Sequence, residues 1–309
     1  MKHSAKLPSL LYKGNEQKKM TLHLFLQIIG KIRLKSMPRK NHWWYVTEYV
    51  TTKGITTGSI PYNEGMDTFD ITLNVHQHQL EVSTSSGESA SFTLLNGISV
   101  ANFYQRLTEI LKGFNISVSI VDKPFDLKID KPFGEITEYQ HYDETYTKDL
   151  WRILLWVDGV FKAFSGRFYG KTCPVHLYWH SMDLGVTRFS GNRAPAMAEG
   201  ARLSDKDAYS HECISFGFWA GDENMPEPAF YSYTYPSPEG INKEPLNPSA
   251  AEWVDSNGSP MAILTYSNLL KTDDPHSALL DFMESAYSAG ARKANWDIEK
   301  LKVPELENI

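Results

Sequence analysis

Asp122-Lys123-Pro124-Phe125-Asp126-Leu127-Lys128-Ile129-Asp130-Lys131-Pro132-Phe133 states the tetrapeptide Asp-Lys-Pro-Phe twice, eight residues apart, near the middle of a 309-residue chain. Each proline disfavours helix at the residue before it, so the stretch reads as a connecting arm. We place a linker at residues 122–135 and read outward from it. At roughly 150 residues per domain, the length allows two domains or one architecture built twice.

The elements on the two sides follow one order. Before the arm, a helix over about Met20 to Ile32 leads into strand-like runs near 42–50, 54–60, 68–76, 79–85 and 90–95. A second helix follows at about 99–113, with Ser99 as N-cap, apolar Val100, Phe103, Leu107 and Leu111 at helical spacing, and Gly113 as the stop. After the arm, the spacing predicts a helix over about Thr145 to Phe164 and strands near 174–181, 184–190, 210–219, 229–235 and 261–266. A closing helix has Asp274 as N-cap and Pro275 at its first position.

Sliding one side over the other by 134 residues puts Arg33 on Arg167, His42 on His176 and Trp44 on Tyr178. After a three-residue gap, Gly54, Ile55 and Thr56 fall near Gly185, Val186 and Thr187. The expected fold is therefore α+β, with two related α-β(n)-α halves, antiparallel sheets flanked by helices, and a pseudo-twofold internal duplication. The expected organisation is a basic amino-terminal segment over 1–19, a first half over 20–121, the linker 122–135, and a second half over 136–309 with long loops. Among those loops, 191–208 and 220–228 look inserted. The stretch 226–248 carries six prolines, so it cannot pair as a central strand throughout.

Charge separates the halves further. Sixteen Lys+Arg stand against 11 Asp+Glu before Gly134, and the remaining 15 stand against 26 after it. Scattered cations in a chain of net charge −6 argue against a nucleic-acid partner. The longest apolar run, Leu22 to Ile29, is too short to span a bilayer and is broken by His23 and Gln27. Lys2, Lys6, Lys13, Lys18 and Lys19 are not followed by the apolar core of a secretory signal, and two cysteines make no disulfide framework. A cytoplasmic, soluble protein is expected; the oligomeric state is not legible.

Aromatic residues reach 13% and cluster, at Trp43 to Tyr45, Tyr178 to Trp179, Phe216 to Trp219 and Phe230 to Tyr235. Most aromatics fill cores, and these are read as core first. The densest reactive set lies on two strand-like segments: Cys173, His176, Tyr178, His180 and Asp183 on one, and His211, Glu212 and Cys213 on the other.

Three readings stand side by side. The first has the histidines hydrogen-bonded within or beside a core. A zinc or iron ion would need one of His176 and His180 together with His211 or Glu212 from another strand, because residues four apart on a strand are about 13 Å apart and His176 and His180 cannot share one ion directly; His176 and His211 are the candidates. An organic ligand would be met by His176, Tyr178, His180, Arg188, His211 and Trp219, with His211 or Glu212 as acid or base. Adjacent strand residues face opposite ways, so only one of His211 and Glu212 can serve a given pocket. His76 and His78, two apart near a hairpin turn among polar neighbours, read as solvent-exposed.

Gly166 to Thr172 nearly spells a phosphate-binding loop. It has three residues between its glycines instead of four, and its helix-to-strand order is the reverse of what aims helix amides at phosphates. No Gly-x-Ser-x-Gly elbow occurs.

The function expected is a small-molecule-binding protein or enzyme with an aromatic and histidine-lined pocket in the second half. The alternatives are a non-catalytic protein-interaction module, which would show a contiguous exposed aromatic patch, and a zinc- or iron-dependent enzyme. No cofactor is assigned.

The runs Leu22-His23-Leu24, Gly30-Lys31-Ile32-Arg33, Asn41-His42-Trp43-Trp44, Pro174 to Trp179, Thr187 to Gly191, Tyr209-Ser210-His211-Glu212 and Glu227 to Tyr231 resemble an uncharacterised bacterial protein family, domain-of-unknown-function family 5996. The resemblance covers nearly the whole chain after the basic segment. No activity, cofactor or catalytic residue is established for that family, so it implies membership and nothing about chemistry.

Overall fold

The computed structural model describes residues 6–304; residues 1–5 of the expected basic segment lie outside them. The first helix, α1, spans Glu16–Ser36 and starts a turn earlier than its apolar pattern predicts. Glu16 fixes that start, because its carboxylate accepts the Gly14 N–H at 2.9 Å in the turn before the helix. Fourteen residues of α1 are buried, among them Lys19, His23, Gln27 and Lys31 at successive i+4 positions. Such a buried polar row needs partners. Gln27 supplies a two-way clamp, accepting the Phe125 N–H at 2.7 Å and donating to the Phe125 carbonyl at 3.0 Å, and so docks the 122–135 stretch along the helix. Gly30 admits Trp179, since a Cβ there would lie 2.2 Å from the indole.

Six short strands follow: β1 (Tyr49–Val50), β2 (Gly54–Thr56), β3 (Ile60–Tyr62), β4 (Asp67–Asn74), β5 (Gln79–Thr84) and β6 (Ser89–Thr93). They form an antiparallel sheet in the order β1-β2-β4-β5-β6, with β3 also on β4. Helix α2 (Val100–Gly113) is capped by Ser99, whose hydroxyl accepts the Asn102 N–H. Phe25 of α1 stacks on Phe103 of α2 at 4.1 Å, and Phe92 of β6 meets Phe103 edge-on at 5.5 Å.

The later elements are α3 (Glu144–Ser165), β7 (His176–Tyr178), β8 (Asp183–Arg193), α4 (Leu203–Ala208), β9 (His211–Trp219), β10 (Ala229–Tyr235), β11 (Glu252–Ser256), β12 (Ser259–Thr265), α5 (Tyr266–Leu269), α6 (Pro275–Lys293) and α7 (Ile298–Leu301). Strands β11, β12, β10, β9 and β8 are neighbours in that order and antiparallel. Asp274 caps α6 through the His276 and Ser277 N–H groups. The helix packs so closely on β9 and β10 that a Cβ on Gly290 would fall 2.2 Å from Thr234 Oγ1 and 2.9 Å from Ile214. The fold is α+β, with two antiparallel sheets and helices in a two-half layout.

Two expectations are corrected. The run 42–50 is not one strand: Asn41–Trp43 forms a 3-10 turn with φ of 57° at His42 and 61° at Trp43, and pairing begins only at Tyr49. Two consecutive left-handed residues cannot lie in a strand. The strand β11 had no counterpart in the sequence reading; it hairpins onto β12 through Asn257-Gly258, both with positive φ.

The chain forms two compact units. The first holds the described residues up to Lys40, Tyr45–Leu155 and His176–Asp183; the second holds Asn41–Trp44, Trp156–Val175 and the chain from Leu184 onward. The 122–135 stretch lies within the first.

Candidate functional site

The sequence-derived candidates are divided between the units. His176, Tyr178 and His180 fall in the first, and Arg188, His211, Glu212 and Trp219 in the second. In the first, the three rings meet in series, His176 edge-on to Tyr178 at 4.7 Å and Tyr178 tilted against His180 at 5.5 Å, with His180 in the turn after β7. His180 also accepts a hydrogen bond on its carbonyl from His23 Nε2 at 3.0 Å.

In the second unit the candidates do not gather in one place. Trp219 closes β9 eight residues after His211, about 26 Å along an extended strand, and pairs with Ala229. Arg188 is 1% exposed. Its guanidinium lies 3.5 Å from the Phe164 ring centroid and 4.4 Å from that of Tyr287, and it donates to the Phe164 carbonyl at 2.6 Å and to Glu284 at 3.5 Å. Phe164 and Tyr287 are buried, and Glu284 is partly exposed.

His211 sits in a different setting. Its ring meets His42 edge-on at 5.4 Å, and His42 Nε2 lies 2.9 Å from Lys171 Nζ. The ammonium lies 5.2 Å from the Trp44 ring and 5.1 Å from the Phe189 ring. Glu212, one residue on, points the other way and accepts from Ser190 Oγ at 2.7 Å and Asn192 Nδ2 at 3.2 Å. The cluster is thus Lys171, His42, His211, Trp44 and Phe189, with Arg193 opposite His211 across the β8–β9 pair.

Local structure explains how it is held. Helix α4, inside the insertion-like 191–208 loop, offers its carbonyls to the left-handed turn: His42 Nδ1 donates to Ala208 O at 3.1 Å, and Trp43 Nε1 donates to Ser204 O at 2.9 Å. With Nδ1 carrying the proton, Nε2 keeps a lone pair for Lys171. Burial lowers the His42 pKa, with the hydrogen bond to Ala208 opposing and the Lys171 cation adding to the effect of burial, so the imidazole stays neutral near pH 7. His211 is lowered too, by burial and then by Lys171 and Arg193. Lys171 is exposed at its residue level and tied to β8 through its carbonyl, which accepts from Phe189 N at 3.0 Å.

A neutral imidazole holding an accessible amine between two aromatic faces can move a proton or receive an anion. Among the described residues no group of three or more His, Cys, Asp or Glu side chains is placed to hold a metal ion, and none of the helices is long and apolar enough to cross a membrane. A groove of about 740 Å³ lies elsewhere, lined by Glu16, Lys18, His141 and Asp143 of the first unit.

A protein-family model matches residues 7–303, nearly the full length. The chain belongs to the family of unknown function DUF5996. No curated protein and no solved structure matches it. In this DUF5996 chain, His42 and Lys171 are the members of the cluster that sequence reasoning missed. Both stood in stretches already singled out, the Asn41 to Trp44 run and the near-phosphate loop Gly166 to Thr172. That loop follows the end of α3 in the helix-to-strand order expected for it, and it contributes the amine of Lys171 rather than a cradle of amides.

Proposed function

We propose that this protein binds a small anionic molecule at Lys171, His42 and His211 of the second unit, with the His42–Lys171 pair supplying a proton-transfer step if the molecule is a substrate. The observation that carries this reading is the 2.9 Å approach of Lys171 Nζ to the lone-pair nitrogen of a buried, tautomer-fixed histidine. Lys171, His211 and Arg193 set three basic groups around it, which favours a carboxylate or phosphate on the ligand. The strained turn at His42 and Trp43 supports it as well, because left-handed non-glycine residues cost of order 1–3 kcal/mol and tend to persist at functional sites. Two free, buried cysteines, Cys173 and Cys213, accord with a reducing, cytoplasmic setting.

A thermal-shift panel of carboxylates, sugar phosphates and nucleotides on the full chain tests the reading. At least one anion is expected to stabilise the wild type and to bind at least about tenfold more weakly (about 1.4 kcal/mol) to Lys171→Met and to His211→Asn. Ligands that bind both variants as tightly as the wild type would overturn it.

A further inference from the structure

The first unit carries a strand-like segment that has no pairing partner among the described residues. After α2 the chain turns at Phe114 and Asn115, then runs from Ile116 to Asp122 with no helix, bend or strand pairing. Exposure alternates along it: Ile116 is buried, Val118, Ile120 and Asp122 are half-buried, and Ser117, Ser119 and Val121 are exposed. A period of two with β-branched residues on the inner side is the signature of a strand. Yet among the described residues Ser117 to Ile120 make no backbone hydrogen bond. A row of unpaired N–H and C=O groups is a template for another strand.

The Ile116 N–H donates to the Leu111 carbonyl at 2.8 Å, which turns the backbone groups of Ile116 towards α2. Successive residues of an extended chain point their backbone groups to opposite sides, so the N–H and C=O of Val118 and Ile120 face α2 and those of Ser117 and Ser119 face away. A groove of about 350 Å³ lies on the α2 side, walled by Tyr104, Thr108 and Lys112 of the helix and by Val118 and Ile120. From Tyr104 to Lys112 the helix rises about 12 Å, and Ile116 to Ile120 extends about 13 Å, so the two walls match in length. They join at the 114–115 turn, which makes the groove blind at that end. Lys112 stands there, exposed, the one charged residue among those lining the groove and in no ion pair among the described residues. The groove on the far side of the segment, about 420 Å³, faces Pro61 of β3, whose nitrogen carries no hydrogen for a ladder.

We infer that the groove between α2 and residues 116–120 takes the carboxy-terminal residues of a partner protein as an added antiparallel strand. Such a strand enters at the Ile120 end and brings its terminal carboxylate to Lys112 at the blind end. Its backbone pairs with the N–H and C=O of Val118 and Ile120, and its carboxylate meets an amine that has no other ion-pair partner. A parallel strand would set its amino-terminal end against Lys112 instead, where nothing complements the ammonium. The same segment of a second copy lies inside its own chain and cannot end in a blind groove. Apolar side chains at alternate positions of the bound strand would lie against Tyr104, Val118 and Ile120.

The test screens the full chain against an array of N-acetylated hexapeptides with free carboxyl ends, varied over their last four positions, and carries the tightest into calorimetry. At least one is expected to bind with a Kd below about 1 mM, and the same peptide with an amidated end at least about tenfold more weakly. Lys112→Met, an exchange at an exposed helix position, should weaken the free-carboxylate peptide by a similar factor. Amide exchange in the wild type reads the pairing directly. On saturation with the peptide, Val118 and Ile120 should exchange at least about tenfold more slowly, while Ser117 and Ser119 keep their rates. An array with no binder, an amidated peptide that binds as tightly, binding unchanged in Lys112→Met, or protection at Ser117 and Ser119 instead would each overturn the proposal. So would a dimer in sedimentation of the peptide-free chain that protects Val118 and Ile120, because it would give this edge to a second copy.

Discussion

Arg188 shows how one residue type can serve two ends. In the sequence it is a cation following a histidine-rich strand, the natural partner for an anionic ligand. In the folded chain it is enclosed by Phe164, Phe168 and Tyr287, with Glu284 as its ion-pair partner. Burial lowers its pKa to about 10, Glu284 opposing, which leaves it charged at neutral pH. Arg188→Met should cost about 2–4 kcal/mol, because the α3 carbonyl at Phe164 loses its buried donor and the aromatic box loses its cation. Urea denaturation measures this, and anion binding by the folded variant at Lys171 should be unchanged. A loss under about 1 kcal/mol would mean that the box does not depend on the charge. Residue chemistry alone could not separate Arg188 from Lys171. The difference lies in what surrounds each, and those neighbours come from elements far apart in sequence: Glu284 and Tyr287 from α6 for one, His42 and Trp44 for the other.

At the scale of elements, local signals were read well where one cap or stop decides them. Ser99 and Asp274 both cap as their spacing says, and α3 departs from its predicted range by a single residue at each end. Local reading failed where a distant partner overrode propensity. Aromatic and β-branched residues over 42–50 favour a strand, yet the carbonyls of Ser204 and Ala208 hold Trp43 and His42 in a left-handed turn. The miss at β11 is of another kind, because its signal was present: Asn257-Gly258 with positive φ at both positions is the favoured two-residue hairpin turn. Gly258→Ala tests that turn directly. Its φ of 82° strains any side chain, so a loss of about 1 kcal/mol is expected, with faster amide exchange in β11 and β12 and little change in β8 and β9. Uniform exchange changes in all four strands would show that the hairpin does not open by itself.

Across the whole molecule, the order helix, strands, helix on each side of the central arm was legible, because it follows from periodicity alone. Membership of the compact units was not. The segments Asn41–Trp44 and His176–Asp183 each join the unit built mostly from the other part of the chain, and the 134-residue offset pairs His42 with His176 and Trp44 with Tyr178. Only packing decides that exchange, and it decides which histidine reaches the Lys171 site.

The pH dependence of stability is also a property of the whole chain. His23 and His176 are both held down to about 3 by burial, from 6.5. The unfolded chain takes up those protons first, so stability falls as pH drops from about 6.5 towards 3, by up to about 1.4 kcal/mol per pH unit for each histidine. Glu48 works in the opposite sense. Its folded pKa is raised, so its contribution is intact below about 4.5 and is lost as pH rises, because the unfolded carboxyl ionises while the buried one does not. Glu48→Gln removes that loss. Denaturation series on the wild type and the variant should give a stability difference near its minimum at about pH 4 and growing in favour of glutamine towards about pH 8. A difference that stays flat, or that moves against glutamine as pH rises, would mean that Glu48 is ionised in the folded chain and paired with Arg33.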